Sequence, residues 1–259
     1  MPITYSSYLR LQELLALQTP ASDPAEHDET LFIIVHQVYE LWFKQILHEI
    51  DRMRIMLEED DVARVRHGFK RVLTIMKVLV AQLDILETMT PLEFLTFRDR
   101  LESGSGFQSF QFRGVEFALG QKRLNAVQHY PADSHARRWL EERFEQPTFW
   151  DAFLHYLARH GHAVPTQQLQ RDVREPVRAD PELQRVLIDV YRNDADAREL
   201  CERFVDLDEG VQEWRYRHVK MVQRTIGMKP GTGGSSGAEY LQSTLRPAFP
   251  DLWDIRTEL

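Results

Sequence analysis

The chain has 259 residues, 43% of them hydrophobic, which is enough for one large core or two joined halves. Its 32 basic and 40 acidic residues give a net charge of -8, which disfavours nucleic acid as a partner because phosphates attract an excess of Lys and Arg. The single cysteine, Cys201, excludes intrachain disulfides and cysteine-rich metal sites. No run of about 18 apolar residues predicts a membrane span. We therefore expect a cytoplasmic protein that binds any metal through histidine or carboxylate.

The spacing of apolar residues predicts an all-α fold. Apolar residues three and four positions apart recur throughout the chain, whereas no stretch alternates long enough to indicate a strand. A first core helix is expected over residues 28–58 and a second over about 62–89. Asp28 suits the N-cap of the first helix, since its side chain can accept hydrogen bonds from the free N–H groups of the first turn.

Two shorter elements follow these helices. Thr90, Pro91 and Glu93 together form a capping-box start, in which the cap side chain and the third helical residue satisfy each other's backbone N–H groups. The third helix is expected to reach about residue 101. A further helical segment is expected over residues 107–119.

The C-terminal half combines short pieces with one long helix. Amphipathic segments interrupted by prolines over about 133–194 predict a smaller helical subdomain, packed against a bundle of long antiparallel helices. A long helix is expected over about 196–226, ending at Gly227, and a glycine-rich loop follows over 229–237. We expect one domain spanning all 259 residues, with an N-terminal arm over about 1–22.

Several residues suit chemistry but allow a structural interpretation as well. The glycine-rich loop lacks the preceding strand and the lysine of a phosphate loop, so it is either a linker or a loop that binds a small polar ligand through Thr232. His218 lies one helical turn after Trp214 and could face a buried flat cofactor or be a structural histidine of the core. His36 allows the same two interpretations. Arg98 could bind the carboxylate of a ligand or be an ordinary surface charge. The residues alone leave these alternatives open.

Four motifs follow one another between Tyr5 and Gly237, in a stretch of similarity that extends to about Arg256. They are YSSYL at 5–9, HDETLFIIVHQ and ELW within 27–42, FR and GFQS within 97–109, and WRYRH with GTGGSSG within 214–237. This order resembles the tryptophan 2,3-dioxygenase family. The resemblance implies a heme-binding helical bundle that uses dioxygen to cleave the indole C2–C3 bond of L-tryptophan. The product would be N-formylkynurenine, in the first step of tryptophan catabolism by the kynurenine route.

The resemblance implies a role for each motif residue near the cofactor. His218 would be the proximal ligand of the iron of one heme b per subunit, and Ser105 and Phe32 would lie beside the heme. His36 would be the catalytic residue, placed near the indole N–H to orient the substrate and form a hydrogen bond with it.

The substrate site is implied in the same way. Arg98 would bind the substrate carboxylate and Thr232 its ammonium group. Many bacterial family members have tyrosine where this chain has Phe94, a difference that we expect to change affinity rather than the reaction. The other residues implied for this pocket are Phe32, Ile33, Ile34, Val35 and His36, with Tyr5, Tyr8 and Leu9 of a neighbouring subunit. Their arrival from a neighbour implies a homotetramer.

Two other functions share the same iron ligand. A related heme monooxygenase would insert one oxygen atom into a tryptophan derivative or another aromatic amino acid in a natural-product pathway. A non-enzymatic heme binder would need His218 but would have no use for Arg98 and Thr232 together. The joint presence of those two residues favours an enzyme, and the two enzyme classes differ in their products.

Overall fold

The computed structural model describes residues 2–102, 104–231 and 237–259. Within these ranges the chain is helical and has no strand, so the predicted all-α fold is confirmed. No helix in the described ranges has the length and apolar character needed to cross a membrane.

The α-helices are α1 (Tyr5–Leu9), α2 (Leu11–Leu14), α3 (His27–Glu58), α4 (Val62–Leu86), α5 (Pro91–Arg98), α6 (Phe110–Ala118), α7 (Leu124–Gln128), α8 (His135–Phe144), α9 (Phe149–Arg159), α10 (Thr166–Leu169), α11 (Pro181–Asn193), α12 (Ala195–Ile226), α13 (Ala238–Ser243) and α14 (Pro250–Asp254). Short 3-10 turns cover Asp99–Leu101, Gly106–Gln108 and Ile255–Thr257. The three longest helices, α3, α4 and α12, pack against one another and form the frame of the fold.

The start of α3 differs from the sequence prediction. The helix begins at His27, so Asp28 lies inside the first turn and is not the N-cap. Its charge is still favourable there, because the N-terminal end of a helix carries partial positive charge. The preceding arm is held instead by the buried carboxylate of Glu29, which accepts the backbone N–H of Ala21 at 2.7 Å and of Ser22 at 3.0 Å.

The capping box before α5 is confirmed. The Thr90 N–H donates to Glu93 Oε2 at 2.7 Å, and the Glu93 N–H donates to Thr90 Oγ1 at 3.4 Å. The segment predicted over 107–119 starts later than expected. Ser109 is the N-cap of α6, and its Oγ accepts the backbone N–H of Phe112 at 3.1 Å, because a hydroxyl in that position satisfies a free first-turn donor.

Residues 133–194 contain the short helices α8 to α11, and α9 belongs to the central core. Its residues Phe149, Trp150 and Phe153 are buried in the same hydrophobic cluster as residues of α3, α4 and α12. The division of the chain into a bundle and a subdomain therefore stays a prediction. The end of α12 at Gly227 is confirmed; this glycine has φ +63°, a conformation that side chains disfavour.

Phe204 anchors the N-terminal half of α12. Its ring centroid lies 4.6 to 5.5 Å from five other buried rings, those of Phe69, Phe149, Trp150, Phe153 and Phe249. Burial of each such side chain stabilises the fold by about 1.5–3 kcal/mol. This tight packing holds α12 rigidly at one end, while a cavity opens beside its other half.

Candidate functional site

A cavity lies between the C-terminal half of α12 and residues of α3, α5, α6 and α13. Its empty space is about 1590 Å³, a figure that includes open solvent at the mouth. Apolar side chains form much of the wall, among them Phe43, Leu86, Met89, Phe112, Met221 and Leu241. The apolar lining suits a large flat apolar group.

Six residues predicted from the sequence meet on this cavity: Phe32, His36, Phe94, Arg98, Ser105 and His218. The structure does not bring Ile33, Ile34 and Val35 to the described cavity wall. Val35 is buried in the core and its carbonyl accepts a hydrogen bond from Gln82, while Ile34 is 43% exposed. Thr232 lies outside the described residues. The arm residues Tyr5, Tyr8 and Leu9 lie on α1, exposed and away from this wall.

The imidazole of His36 has a defined orientation. Its Nδ1 lies 2.7 Å from the carbonyl oxygen of Phe32, one turn earlier on α3. Because a carbonyl can only accept, Nδ1 carries the hydrogen and Nε2 carries a lone pair in the neutral ring. Burial lowers the pKa of His36, opposed by the Phe32 carbonyl and by Glu40. The geometry and the lowered pKa favour a neutral ring with Nε2 as an acceptor.

His218 lies on α12, one turn after Trp214. The two rings are stacked, with centroids 5.4 Å apart and planes 5° apart. Burial lowers the pKa of His218 to about 4, with a further lowering from His36. The imidazole is therefore neutral near neutral pH, which is the protonation state that binds a metal.

Arg98, at the end of α5, presents a guanidinium to the cavity. It donates to the carbonyl of Pro230 at 2.7 Å and has no carboxylate partner in the described part of the chain. Phe94 lies one turn earlier and its ring centroid is 5.7 Å from that of Phe32. A cation with unused donors next to aromatic rings suits a ligand that has both a carboxylate and an aromatic group.

A buried charged cluster on the same wall was missed by sequence reasoning. The carboxylate of Glu116 binds three guanidinium groups, at 2.5 Å from Arg113, 2.6 Å from Arg215 and 2.9 Å from Arg123. Burial alone would raise the pKa of Glu116, but the three arginines lower it, so the group is ionised. The sequence offered one signal, an Arg and a Glu three residues apart within the mostly apolar α6.

These observations define a class. In the described residues the fold is all-helical and has a mostly apolar cavity. Two neutral imidazoles, an arginine with no carboxylate partner in these ranges and a buried cluster of arginines around one glutamate come together there. This combination is typical of an enzyme that binds a small charged aromatic molecule.

Comparison with known proteins gives the family. The family model for tryptophan 2,3-dioxygenase matches residues 1–148 and 151–259. The tryptophan 2,3-dioxygenase of Herpetosiphon aurantiacus is 59% identical over 258 residues, which cover 99% of this chain and 98% of that protein. Those of Anaeromyxobacter dehalogenans and Myxococcus xanthus are 54% and 47% identical over 99% of this chain, and over 96% and 89% of their own lengths. The chain belongs to the tryptophan 2,3-dioxygenase family, and with it to the oxidoreductases that use dioxygen.

Proposed function

We propose that this protein cleaves the C2–C3 bond of L-tryptophan with dioxygen to form N-formylkynurenine, using a heme b whose iron is bound by His218. The observation that carries the proposal is the meeting of His218, His36 and Arg98 on one cavity wall. Family membership over nearly the whole chain supports the reaction.

The residues of the cavity fit a heme. His218 would bind the iron through its neutral imidazole, a common ligand of heme iron in proteins. Arg113 and Arg215 share Glu116 and line the cavity, so they would receive the heme carboxylates.

The heme, when bound, supplies the activation of dioxygen and the transfer of its oxygen atoms to the indole. The protein supplies position and a dry site. Arg98 would bind the carboxylate of L-tryptophan with its remaining donors, while Thr232 would bind the ammonium group. Holding both charged ends orients the indole against Phe32 and reduces the entropy cost of reaching the reactive geometry. The apolar wall excludes water from that face.

His36 would accept the indole N–H through Nε2. That hydrogen bond fixes the rotation of the ring but does not require a proton to leave before oxygen is transferred. Ser105, on the cavity wall, would lie beside the heme and the substrate.

A homotetramer is part of the proposal. The helix α1 has no buried residue, and Tyr5 and Tyr8 are 76% and 75% exposed. Large aromatic side chains on a terminal helix are expected to be covered by another surface. We infer that Tyr5, Tyr8 and Leu9 cover the substrate pocket of a neighbouring subunit.

Replacing His36 by alanine is expected to lower kcat by up to about 100-fold without abolishing activity, because lost orientation is the main cost. Steady-state kinetics at saturating L-tryptophan would measure the change, with heme content and tryptophan binding measured in parallel. Complete loss of activity with both of those unchanged would instead make His36 an essential acid or base.

Labelled dioxygen tests the reaction itself. Reduced protein given L-tryptophan and ¹⁸O₂ is expected to produce N-formylkynurenine with two labelled oxygen atoms, detected by mass spectrometry, without stoichiometric reductant. A product with one labelled atom and an intact five-membered ring, or turnover only with added peroxide or reductant, would identify a monooxygenase acting at the same cavity.

A further inference from the structure

The helix α13 forms one wall of the cavity and packs against α12. Residues of α13 and its two ends contribute to the lining, namely Gly237, Tyr240, Leu241 and Thr244. The helix has six residues, of which only Ala238 is buried. A helix this short is not stable in isolation, so its position depends on contacts with the rest of the fold.

Two of those contacts are hydrogen bonds from arginines that both bind the carboxylate of Glu116. Arg123 donates to the Tyr240 hydroxyl at 3.1 Å and, through Nη2, to both oxygens of Glu116 at 3.0 and 2.9 Å. At the C-cap of α13, Arg215 donates to the Thr244 carbonyl at 2.6 Å and to Glu116 at 2.6 Å. Glu116 therefore binds two arginines, one of which contacts α13 at Tyr240, within the helix, and the other at its C-cap.

The same carboxylate connects α13 to the helix that carries His218. Arg215 precedes His218 by three residues on α12, while Glu116 lies on α6. The side chains of Glu116 and Arg215 are only 3% and 5% exposed, so their pairing is screened little by solvent. The ion pairs and hydrogen bonds of this cluster thus join α6, α12 and α13 beside the cavity.

Arg123 differs from the other two arginines of the cluster. Arg113 and Arg215 line the cavity, whereas Arg123 is not among the described lining residues and is 34% exposed. Its effect on the cavity would therefore pass through Tyr240. Its replacement leaves Glu116 paired with Arg113 and Arg215, so the buried carboxylate keeps partners and the fold is expected to survive.

We propose that Arg123 is a positioning residue: together with Glu116 it holds α13 against the His218 helix, and the wall formed in this way retains the heme. This proposal rests on the proposed function in one respect, that the cavity holds heme. It assigns to the 116–123 segment a role beyond the ligand, substrate and cofactor contacts described above.

The test compares Arg123→Gln, Tyr240→Phe and the double variant. Hemin loss from the holoprotein to excess apomyoglobin is expected to be about tenfold faster in Arg123→Gln, because this variant loses the charge-assisted hydrogen bonds to Glu116 as well as the bond to Tyr240. Tyr240→Phe should lose hemin roughly threefold faster, because it removes the Arg123–Tyr240 bond and leaves the pair with Glu116. The double variant should lose hemin more slowly than the product of the two single effects predicts, because both changes remove the Arg123–Tyr240 contact. Amide hydrogen exchange of residues 238–243 should accelerate in all three variants.

Arg256→Gln is the matched control. Arg256 is also 34% exposed and pairs with one glutamate, Glu202 at 2.8 Å, but does not line the cavity. It should leave hemin loss and exchange in 238–243 unchanged. Unchanged values in Arg123→Gln, or equal changes in Arg256→Gln, would overturn the proposal. If the unsubstituted protein binds no hemin, the proposed function fails and with it the retention of heme, while exchange in 238–243 still decides whether Arg123 holds α13.

Discussion

Replacing His218 by alanine is expected to reduce turnover to background and to remove most of the heme. Alanine offers no donor atom, and the neighbouring residues of α12 on the same face, Trp214 and Met221, bring an indole and a thioether rather than an imidazole. Burial lowers the pKa of His218 to about 4, so near neutral pH the imidazole is neutral and can bind a metal, which a protonated imidazole cannot do. The heme-to-protein ratio and the Soret absorption of the purified variant would measure the loss.

A second histidine provides the control for this change. His155 lies on α9, is exposed, and is not part of the cavity lining. His155→Ala should keep the full heme content and activity, which separates loss of a ligand from a general effect of replacing a helical histidine. A His218→Ala protein with a full heme complement and an unchanged Soret band would show that another residue binds the iron.

The periodicity of apolar residues was sufficient to predict the frame of the fold. The helix predicted over 196–226 begins at Ala195 and ends at Ile226, because Gly227 follows it with a positive φ that ends the hydrogen-bond pattern. The local sequence did not indicate how the preceding arm meets α3. The arm is held by hydrogen bonds from the backbone of residues 21 and 22 to Glu29. The residue pattern that marks the start of a helix does not predict such contacts with the preceding chain.

Part of the candidate site could likewise be predicted from the sequence, and part could not. The spacing of Trp214 and His218 placed both on one helical face, but only the resemblance to a family favoured a ligand over a core histidine. The Glu116 cluster was missed because its partners lie far apart in the sequence: Glu116 and Arg215 are 99 residues apart. An ion pair between residues so far apart leaves no periodic pattern in the sequence. Only the folded structure shows that Glu116, on the mostly apolar α6, is the shared partner of three arginines.

Replacing Arg98 by alanine is expected to weaken L-tryptophan binding by about 1.5–3 kcal/mol, the range for hydrogen bonds to a charged group, or roughly 10- to 100-fold in Kd. The guanidinium has no carboxylate partner in the described chain, so a bound carboxylate would use donors that Pro230 leaves available. Heme content should stay unchanged, because Arg98 would contact the substrate carboxylate, whereas His218 would bind the iron. Titrating the visible spectrum of the ferrous holoprotein with L-tryptophan would measure Kd.

Loss of Arg98 also removes its contact with Pro230, and a second ligand separates the two effects. Tryptamine has the indole and the amine of tryptophan but no carboxylate. If Arg98 binds the carboxylate, Arg98→Ala should weaken L-tryptophan and leave tryptamine nearly unchanged, so that the preference for the amino acid over the amine disappears. Arg98→Lys keeps the charge but not the guanidinium group that can form two parallel hydrogen bonds to a carboxylate. Its affinity for L-tryptophan should lie between those of the unsubstituted protein and Arg98→Ala. Equal weakening of both ligands would assign the effect to the Pro230 contact, and unaltered binding of both in a folded holoprotein would remove Arg98 from the substrate site.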